Sequence, residues 1–538
     1  MNYLPTERLV SLYFQKVNLW KVMIWFTGAL VALLLLLPVV YLLLRASEAG
    51  DAIWDILFSL RTARVLLKTV YLAASVTLGS ALVAVPIAWL TVRTDLPMRR
   101  VWAILTTLPL VVPSYVGAYL FVSVLGPRGV LQQWLEPLGV QQLPKLYGFP
   151  GAFLVLTLLS YPYILTSTRA SLMRMNPALE EASRNLGSGP WMTFWRVTLP
   201  QLRPGLAAGG LLVTLYVLRD FGAVSVMRYS TFTRVLYIQY QSSFDRTGAA
   251  VLALVLILLT AFVLLIEIRT RGRASYYGGH VGAVGNPMQI QLGFWRWPSL
   301  LLCSIVVILS LILPASILLY WFFRSLKLTM AFPSLWISAW NSVLASGLAS
   351  GLVLLAAIPV SWLSVRQKGR MAMLLERISY SAFALPGMVV ALAMVFFGAN
   401  YANPIYQTLY LLLFGYLIMF LPQAVGALRT SFLQISPSIE QAARTLGKGP
   451  LKVFSTITVP VAWPGIAAGT VMVFLTVMKE LPITLIVGPL GFRTLATSVW
   501  SAVEEAMFGA AAAPALLLIL LSSVPMALIV LRERFYIR

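Results

Sequence analysis

The feature that most restricts this chain is an apolar run of about 20 residues that recurs along its whole length. A run of that length spans a bilayer core of about 30 Å when helical. Backbone polar groups have no water to bind inside lipid, so such runs read as helices rather than barrel strands. Twelve are counted, at 22–44, 69–92, 101–125, 150–172, 204–222, 248–268, 299–323, 342–365, 378–399, 405–428, 464–487 and 508–531. The expected fold class is an all-α polytopic membrane protein. The first run starts well inside the chain, is long and lacks a small-residue cleavage site, so it reads as a retained helix rather than a signal peptide.

The 538 residues are 59% hydrophobic and 11% charged, too few charges for the surface of a soluble protein of this size. A net charge of +23 could suggest nucleic acid, but its placement argues otherwise. With both termini cytoplasmic, the inner segments carry 26 of the 40 Lys and Arg, among them Arg99, Arg100, Arg269, Arg271, Arg273, Arg366, Lys368 and Arg370. That is the positive-inside bias, and it favours contact with anionic lipid headgroups. One cysteine, Cys303, and one histidine, His280, leave no disulfide framework, zinc cluster or nucleophile–base pair, so nothing in the chain reads as an enzyme.

The chain repeats itself. EEASRNLGSGPWMTFWRVTLPQLRPG (180–205) answers to EQAARTLGKGPLKVFSTITVPVAWPG (440–465), with Gly187 on Gly447 and Pro200 on Pro460. TVYLAASVTLGSALVAVPIAWLTVR (69–93) answers to SVLASGLASGLVLLAAIPVSWLSVR (342–366), and Leu108-Pro109 to Leu385-Pro386. Each copy holds six spans, an even number, so the two six-helix repeats are expected to run parallel about an axis along the membrane normal. The expected division is an N-terminal half over 1–268, a Gly-rich cytoplasmic linker over 269–298 and a C-terminal half over 299–538.

The repeated polar stretches, 174–200 and 434–460, follow the fourth span of each half. Asn176-Pro177 and Ser436-Pro437 read as helix starts, with a capping side chain followed by proline at the first helical position. Glu180 and Glu440 fall in first turns, where the helix dipole favours a carboxylate. Gly187 and Gly447 read as stops. Leu179, Ala182 and Leu186, and Ile439, Ala442 and Leu446, recur at helical spacing as one apolar face. A helix of about ten residues is marginal alone and needs a partner surface, either the chain's own bundle and membrane or another protein.

Glu180-Glu181-Ala182…Gly187…Leu199-Pro200 and Glu440-Gln441-Ala442…Gly447…Val459-Pro460 resemble the EAA loop of ATP-binding-cassette importer permeases. The second copy departs from the first at Gln441. The resemblance covers essentially the whole chain. It implies that Glu180, Glu181, Ala182, Gly187, Glu440, Ala442 and Gly447 belong to coupling helices, each seated in a groove of a separate cytoplasmic ATPase. It also implies a type I importer-like fold and two ATPase copies, which bind ATP and magnesium while this chain binds no cofactor. The chain has no phosphate loop of its own.

Two of the 17 acidic residues lie near the far ends of the fifth spans, at the same offset of 260: Asp220 in YVLRDFGAVS and Glu480 in TVMKELPITL. Two roles are open to them. They cap a broken helix, since Gly222 and Pro482 follow at once, or they face the axis as transient metal ligands for a cationic substrate. Hard trivalent cations favour oxygen donors. Tyr115, Tyr119 and Tyr229 could supply more of these along the pathway, or form an interfacial belt. Asp220-Phe221-Gly222-Ala223-Val224 and Lys479-Glu480-Leu481-Pro482-Ile483-Thr484-Leu485 resemble the fused ferric-iron importer permeases. That resemblance implies a bacterial inner-membrane location, a periplasmic ferric-binding protein as partner, and transport by alternating access. The fused thiamine permeases are the nearest alternative, with spermidine, phosphonate and sulfate permeases further off. A cation-coupled secondary transporter would also use repeats, but has no need of a docking loop.

Overall fold

The computed structural model of the protein describes residues 19–48, 50–127, 129–140, 142–175, 178–243, 246–271, 290–327, 334–367 and 369–536. His280, Asn176-Pro177 and most of the linker 269–298 lie outside the described residues. Within them regular structure is helical, and one isolated bridge joins Thr94 to Ile290. The main helices of the first half are α1 (Leu19–Ser47), α2 (Leu60–Arg93), α3 (Ser114–Leu125), α4 (Phe149–Arg174), α5 (Leu199–Arg219) and α6 (Arg246–Arg271). Those of the second are α7 (Leu313–Lys327), α8 (Leu335–Arg366), α9 (Gly387–Tyr401), α10 (Leu409–Leu433), α11 (Val459–Met478) and α12 (Phe508–Tyr536).

Among the described residues nine helices are long and apolar enough to cross a bilayer, or eleven if each of two bent pairs counts as one span. α12 adds a shorter apolar stretch over Phe508–Ser523. The bent pairs correct the expectation of unbroken spans over 101–125 and 378–399. Arg99–Val111 meets Ser114–Leu138 at 96°, and Arg370–Ala384 meets α9 at 104°. Pro113 and Pro386 stand at the N-caps of α3 and α9 in extended conformation. Proline has no N–H to donate and its ring blocks the preceding turn, so the helix stops and restarts in a new direction.

Side chains such as Phe26, Leu33, Leu67, Leu78 and Leu82 are exposed along α1 and α2, the outward apolar surface that lipid would cover. Inside, lipid gives no hydrophobic drive between helices, and small residues let backbones close up. α5 lies against α4 so tightly that a Cβ on Gly209 would stand 2.7 Å from Ile164 Cα. At the same offset of 260, Gly469 of α11 faces Ala427 of α10, where a Cβ would meet the Ala427 methyl at 3.1 Å.

The halves are interleaved. α1 packs on α6 of its own half and also on α8, Arg370–Ser381 and α9 of the other. Tyr41 Oη accepts a hydrogen bond from Asn400 Nδ2 at 3.3 Å, and Trp20 meets Phe454 at 5.5 Å between ring centres. Reciprocally, α7 packs on α3, and the turn Ile308–Ile312 before it packs on α4.

Candidate coupling loops and the interface between the halves

Each repeated polar stretch folds as a short helix, a glycine stop and a re-entry turn. The first helix is Ala178–Asn185, the second Pro437–Thr445. Gly187 has φ +85° and Gly447 φ +81°, a left-handed conformation that a Cβ would strain. Their N–H groups donate to Arg184 O at 2.9 Å and Arg444 O at 3.0 Å. The next residues close the matching wider bonds, Ser188 N to Ser183 O and Lys448 N to Ala443 O. A π-helical turn then leads into the fifth helix, Phe194–Thr198 before α5 and Phe454–Thr458 before α11. Pro437 occupies the first helical position, but Ser436 makes no capping bond. Its hydroxyl pairs instead with that of Ser438 at 2.7 Å.

The apolar face of each short helix is bare. Leu186 is 87% exposed and Leu446 82%, with Leu179, Ala182, Ile439 and Ala442 also exposed. Glu181 and its counterpart Gln441 are exposed as well. Nothing among the described residues covers this face.

Glu180 and Glu440 behave differently from their neighbours, pointing back into the chain. Glu440 receives Arg366 Nε and an Arg366 terminal nitrogen at 3.1 Å each, and Thr458 Oγ1 at 2.9 Å. The same guanidinium donates to Ile435 O at 3.1 Å. Arg366 is the last residue of α8, so this bidentate pair fastens the loop helix to that helix. In the first half Arg93 ends α2, stands 3.8 Å from Glu180, and Thr198 Oγ1 donates to Glu180 at 2.7 Å. Arg93 is fully buried, and two of its nitrogens have no hydrogen-bond partner. Its carbonyl accepts Ile290 N at 2.9 Å, while Asp95 accepts Leu292 N on its side chain at 2.9 Å. Sequence reasoning missed Arg93, Arg366, Thr198 and Thr458 as partners of the loop acids. The signal was their recurrence at equivalent places in the two copies.

At the far ends of α5 and α11 both acids cap a restarted helix. Asp220 Oδ1 accepts Ala223 N at 3.0 Å and Val224 N at 3.2 Å, heading Gly222–Val226. Glu480 Oε1 accepts Ile483 N at 3.2 Å, heading Pro482–Val487. Tyr115 and Tyr119 are buried, with hydroxyls that have no hydrogen-bond partner. Tyr119 stacks on Phe508 of the other half at 6.3 Å. Tyr115 lies so close to Gly222 that a Cβ there would stand 2.6 Å from its own Cβ. Tyr229 donates to Lys68 O at 3.2 Å. Among the described residues no three of His, Cys, Asp and Glu converge as a metal site.

The proline breaks free backbone carbonyls, and donors from the opposite half meet them. Lys479 Nζ donates to Leu110 O at 3.2 Å, and Thr260 Oγ1 to Ala384 O at 2.5 Å. Non-helical backbone at membrane depth survives only when its polar groups are answered in this way.

A chain with two such loops, each leading into a helix broken by an acid, finds its match twice over. Residues 83–268 and 354–537 each fit the family of binding-protein-dependent transport system inner membrane components. The chain belongs to that family. The permease is 33% identical over 504 residues to the Fe(3+)-transport system permease protein FbpB 2 of Haemophilus influenzae, covering 93% of this chain and 96% of that protein. It is 23% identical over 471 residues to the ferric transport system permease protein FbpB of Actinobacillus pleuropneumoniae, covering 84% and 68%. A sulfate transport system permease protein, CysW of Synechocystis, matches 206 residues at 30%, covering 36% of this permease and 74% of that protein.

Proposed function

We propose that the permease carries ferric iron inward across a bacterial cytoplasmic membrane. Iron is delivered by a periplasmic binding protein, and the driving force comes from two copies of a separate ATPase. The observation that carries the ATPase role is the pair of bare apolar helix faces, 178–186 and 437–446, on loops built alike. Each is too short to be stable in isolation and too apolar to stay in water. On this reading Leu179, Ala182 and Leu186, with Ile439, Ala442 and Leu446, seat in one ATPase each, flanked by Glu181 and Gln441. ATP and magnesium belong to those subunits. The loops and both termini are cytoplasmic, as the positive-inside distribution favours. The chain then has twelve spans in two parallel six-helix repeats, residues 1–268 and 299–538, joined by the linker 269–298.

The iron assignment rests on the two ferric relatives that match along most of the chain, whereas the sulfate relative matches little more than a third of it. The passage runs between the halves, where Asp220, Glu480, Tyr115 and Tyr119 supply oxygen to a hard cation as the restarted helices move. Purified permease with its ATPase, in lipid, is offered binding proteins loaded with ferric ion or with thiamine. Ferric-loaded protein should raise ATP hydrolysis. Stimulation by the thiamine-loaded partner alone would overturn the iron assignment.

A further inference from the structure

The second helix of each half is fastened at both ends by the same two devices. At the loop end, Arg93 of α2 and Arg366 of α8 hold Glu180 and Glu440 of the loop helices. At the opposite end, Thr69 Oγ1 of α2 accepts Phe232 N at 3.2 Å, and Ser342 Oγ of α8 accepts Leu495 N at 2.8 Å. Both hydroxyls are buried, and each also donates back to the carbonyl four residues earlier, Val65 O at 2.7 Å and Ser338 O at 2.8 Å. Phe232 and Leu495 open the short helices Phe232–Ile238 and Leu495–Glu504, which follow the breaks at Asp220 and Glu480. Thr69 pairs with Ser342, and Arg93 with Arg366, in the repeat alignment. The hydroxyl pins are the same in both copies, while the loop-end pair is bidentate in the second copy and a 3.8 Å approach in the first.

We infer that α2 and α8 are rods that carry displacement of a docked loop to the segment beyond the acid break, and that Arg93, Glu180, Thr69, Arg366, Glu440 and Ser342 are positioning residues at their pinned ends. The pins of one rod are 24 residues apart, about 36 Å at 1.5 Å per helical residue. The rod runs as one helix between them, whereas the third span of its half is bent by about a right angle and the fifth stops at the acid. A push on the loop therefore reaches the far segment more directly along α2 or α8 than through the elements in sequence between them. The rods serve the importer reading given above, and they add which helix transmits and through which atoms.

The test reads movement without relying on cargo. Spin labels are placed on Ile238→Cys and Leu490→Cys, with Cys303→Ser, in permease assembled with its ATPase in lipid. The interlabel distance is measured with and without ATP trapped by vanadate. The parent should show an ATP-dependent shift. Ser342→Ala, far from the loop, should cut that shift to half or less while the ATPase still co-purifies, and Glu440→Gln should cut it as far. Ser342→Thr, which keeps the hydroxyl, should restore it. Sites this far apart ordinarily add, but the two lesions act on one rod, so the double variant should lose no more than the worse single one. That non-additivity is the coupling evidence a transmission claim requires. A full shift in Ser342→Ala, or strictly additive losses, would overturn the rod. A parent that binds ATPase yet shows no shift would overturn the ATP-driven reading along with it.

Discussion

Removing the carboxylate of Glu440 should loosen the second loop far more than removing that of Glu180 loosens the first. Arg366 and Glu440 are about one-tenth exposed at the side chain and meet through two bonds at 3.1 Å, with Thr458 adding a third to the carboxylate. Breaking a buried pair on one side strands the other charge and costs about 3–5 kcal/mol. The loop edge admits some water, so the lower end applies, about 3 kcal/mol, or roughly a hundredfold in a local opening equilibrium. In the first half Arg93 stands 3.8 Å from Glu180 without a hydrogen bond to it, so Glu180→Ala forfeits the bond from Thr198 and a longer, weaker attraction to the buried guanidinium. That is about 1.5 kcal/mol, roughly tenfold. Hydrogen exchange of the permease in lipid discs, without ATPase, reads both. Amides of 437–447 should exchange about a hundredfold faster in Glu440→Ala, and those of 178–187 about tenfold faster in Glu180→Ala. Equal acceleration in the two loops, or unchanged exchange in Glu440→Ala, would refute the unequal clamps.

Three further outcomes are expected. Leu186→Asp with Leu446→Asp should abolish co-purification of the ATPase and leave the melting temperature of the permease alone unchanged, because both side chains are exposed. Gly447→Ala, at φ +81°, should cost about 1–2 kcal/mol of loop order, seen as weaker ATPase binding with normal membrane insertion. Gly222→Ala would push a methyl group to 2.6 Å from Tyr115 Cβ in a packed interior, and should lower the melting temperature measurably, as overpacking costs about 1–3 kcal/mol.

Much of this architecture could be read from the sequence because it depends on local signals. Hydropathy located the membrane helices, and the glycine stops at 187 and 447 followed from the need for a left-handed residue. The bends were hidden. Pro38, Pro86, Pro162, Pro204, Pro359, Pro422 and Pro464 all sit inside helices that continue. A proline in an apolar run therefore does not by itself distinguish a tolerated kink from a break. At the two bends the apolar run continues straight through the turn, so hydropathy saw one span. The acids at 220 and 480 were legible as caps from the glycine and proline after them, and the structure builds those caps. The clamps were not legible, because Arg366 and Glu440 are 74 positions apart and nothing in either local stretch names the other. Nor does periodicity say which bundle a helix joins, and so the crossing of α1 into the second half went unread.

That crossing bears on how the protein is made. α1 is synthesised long before α8 and α9, and its packing surface on them does not exist until synthesis has passed Tyr401. Until then α1 has only α6 of its own half to pack on, the face it turns to the second half is unanswered, and Tyr41 has no Asn400 to meet. A product truncated before α9 would keep that face of α1 on display, a flag by which membrane proteases could recognise an unfinished transporter.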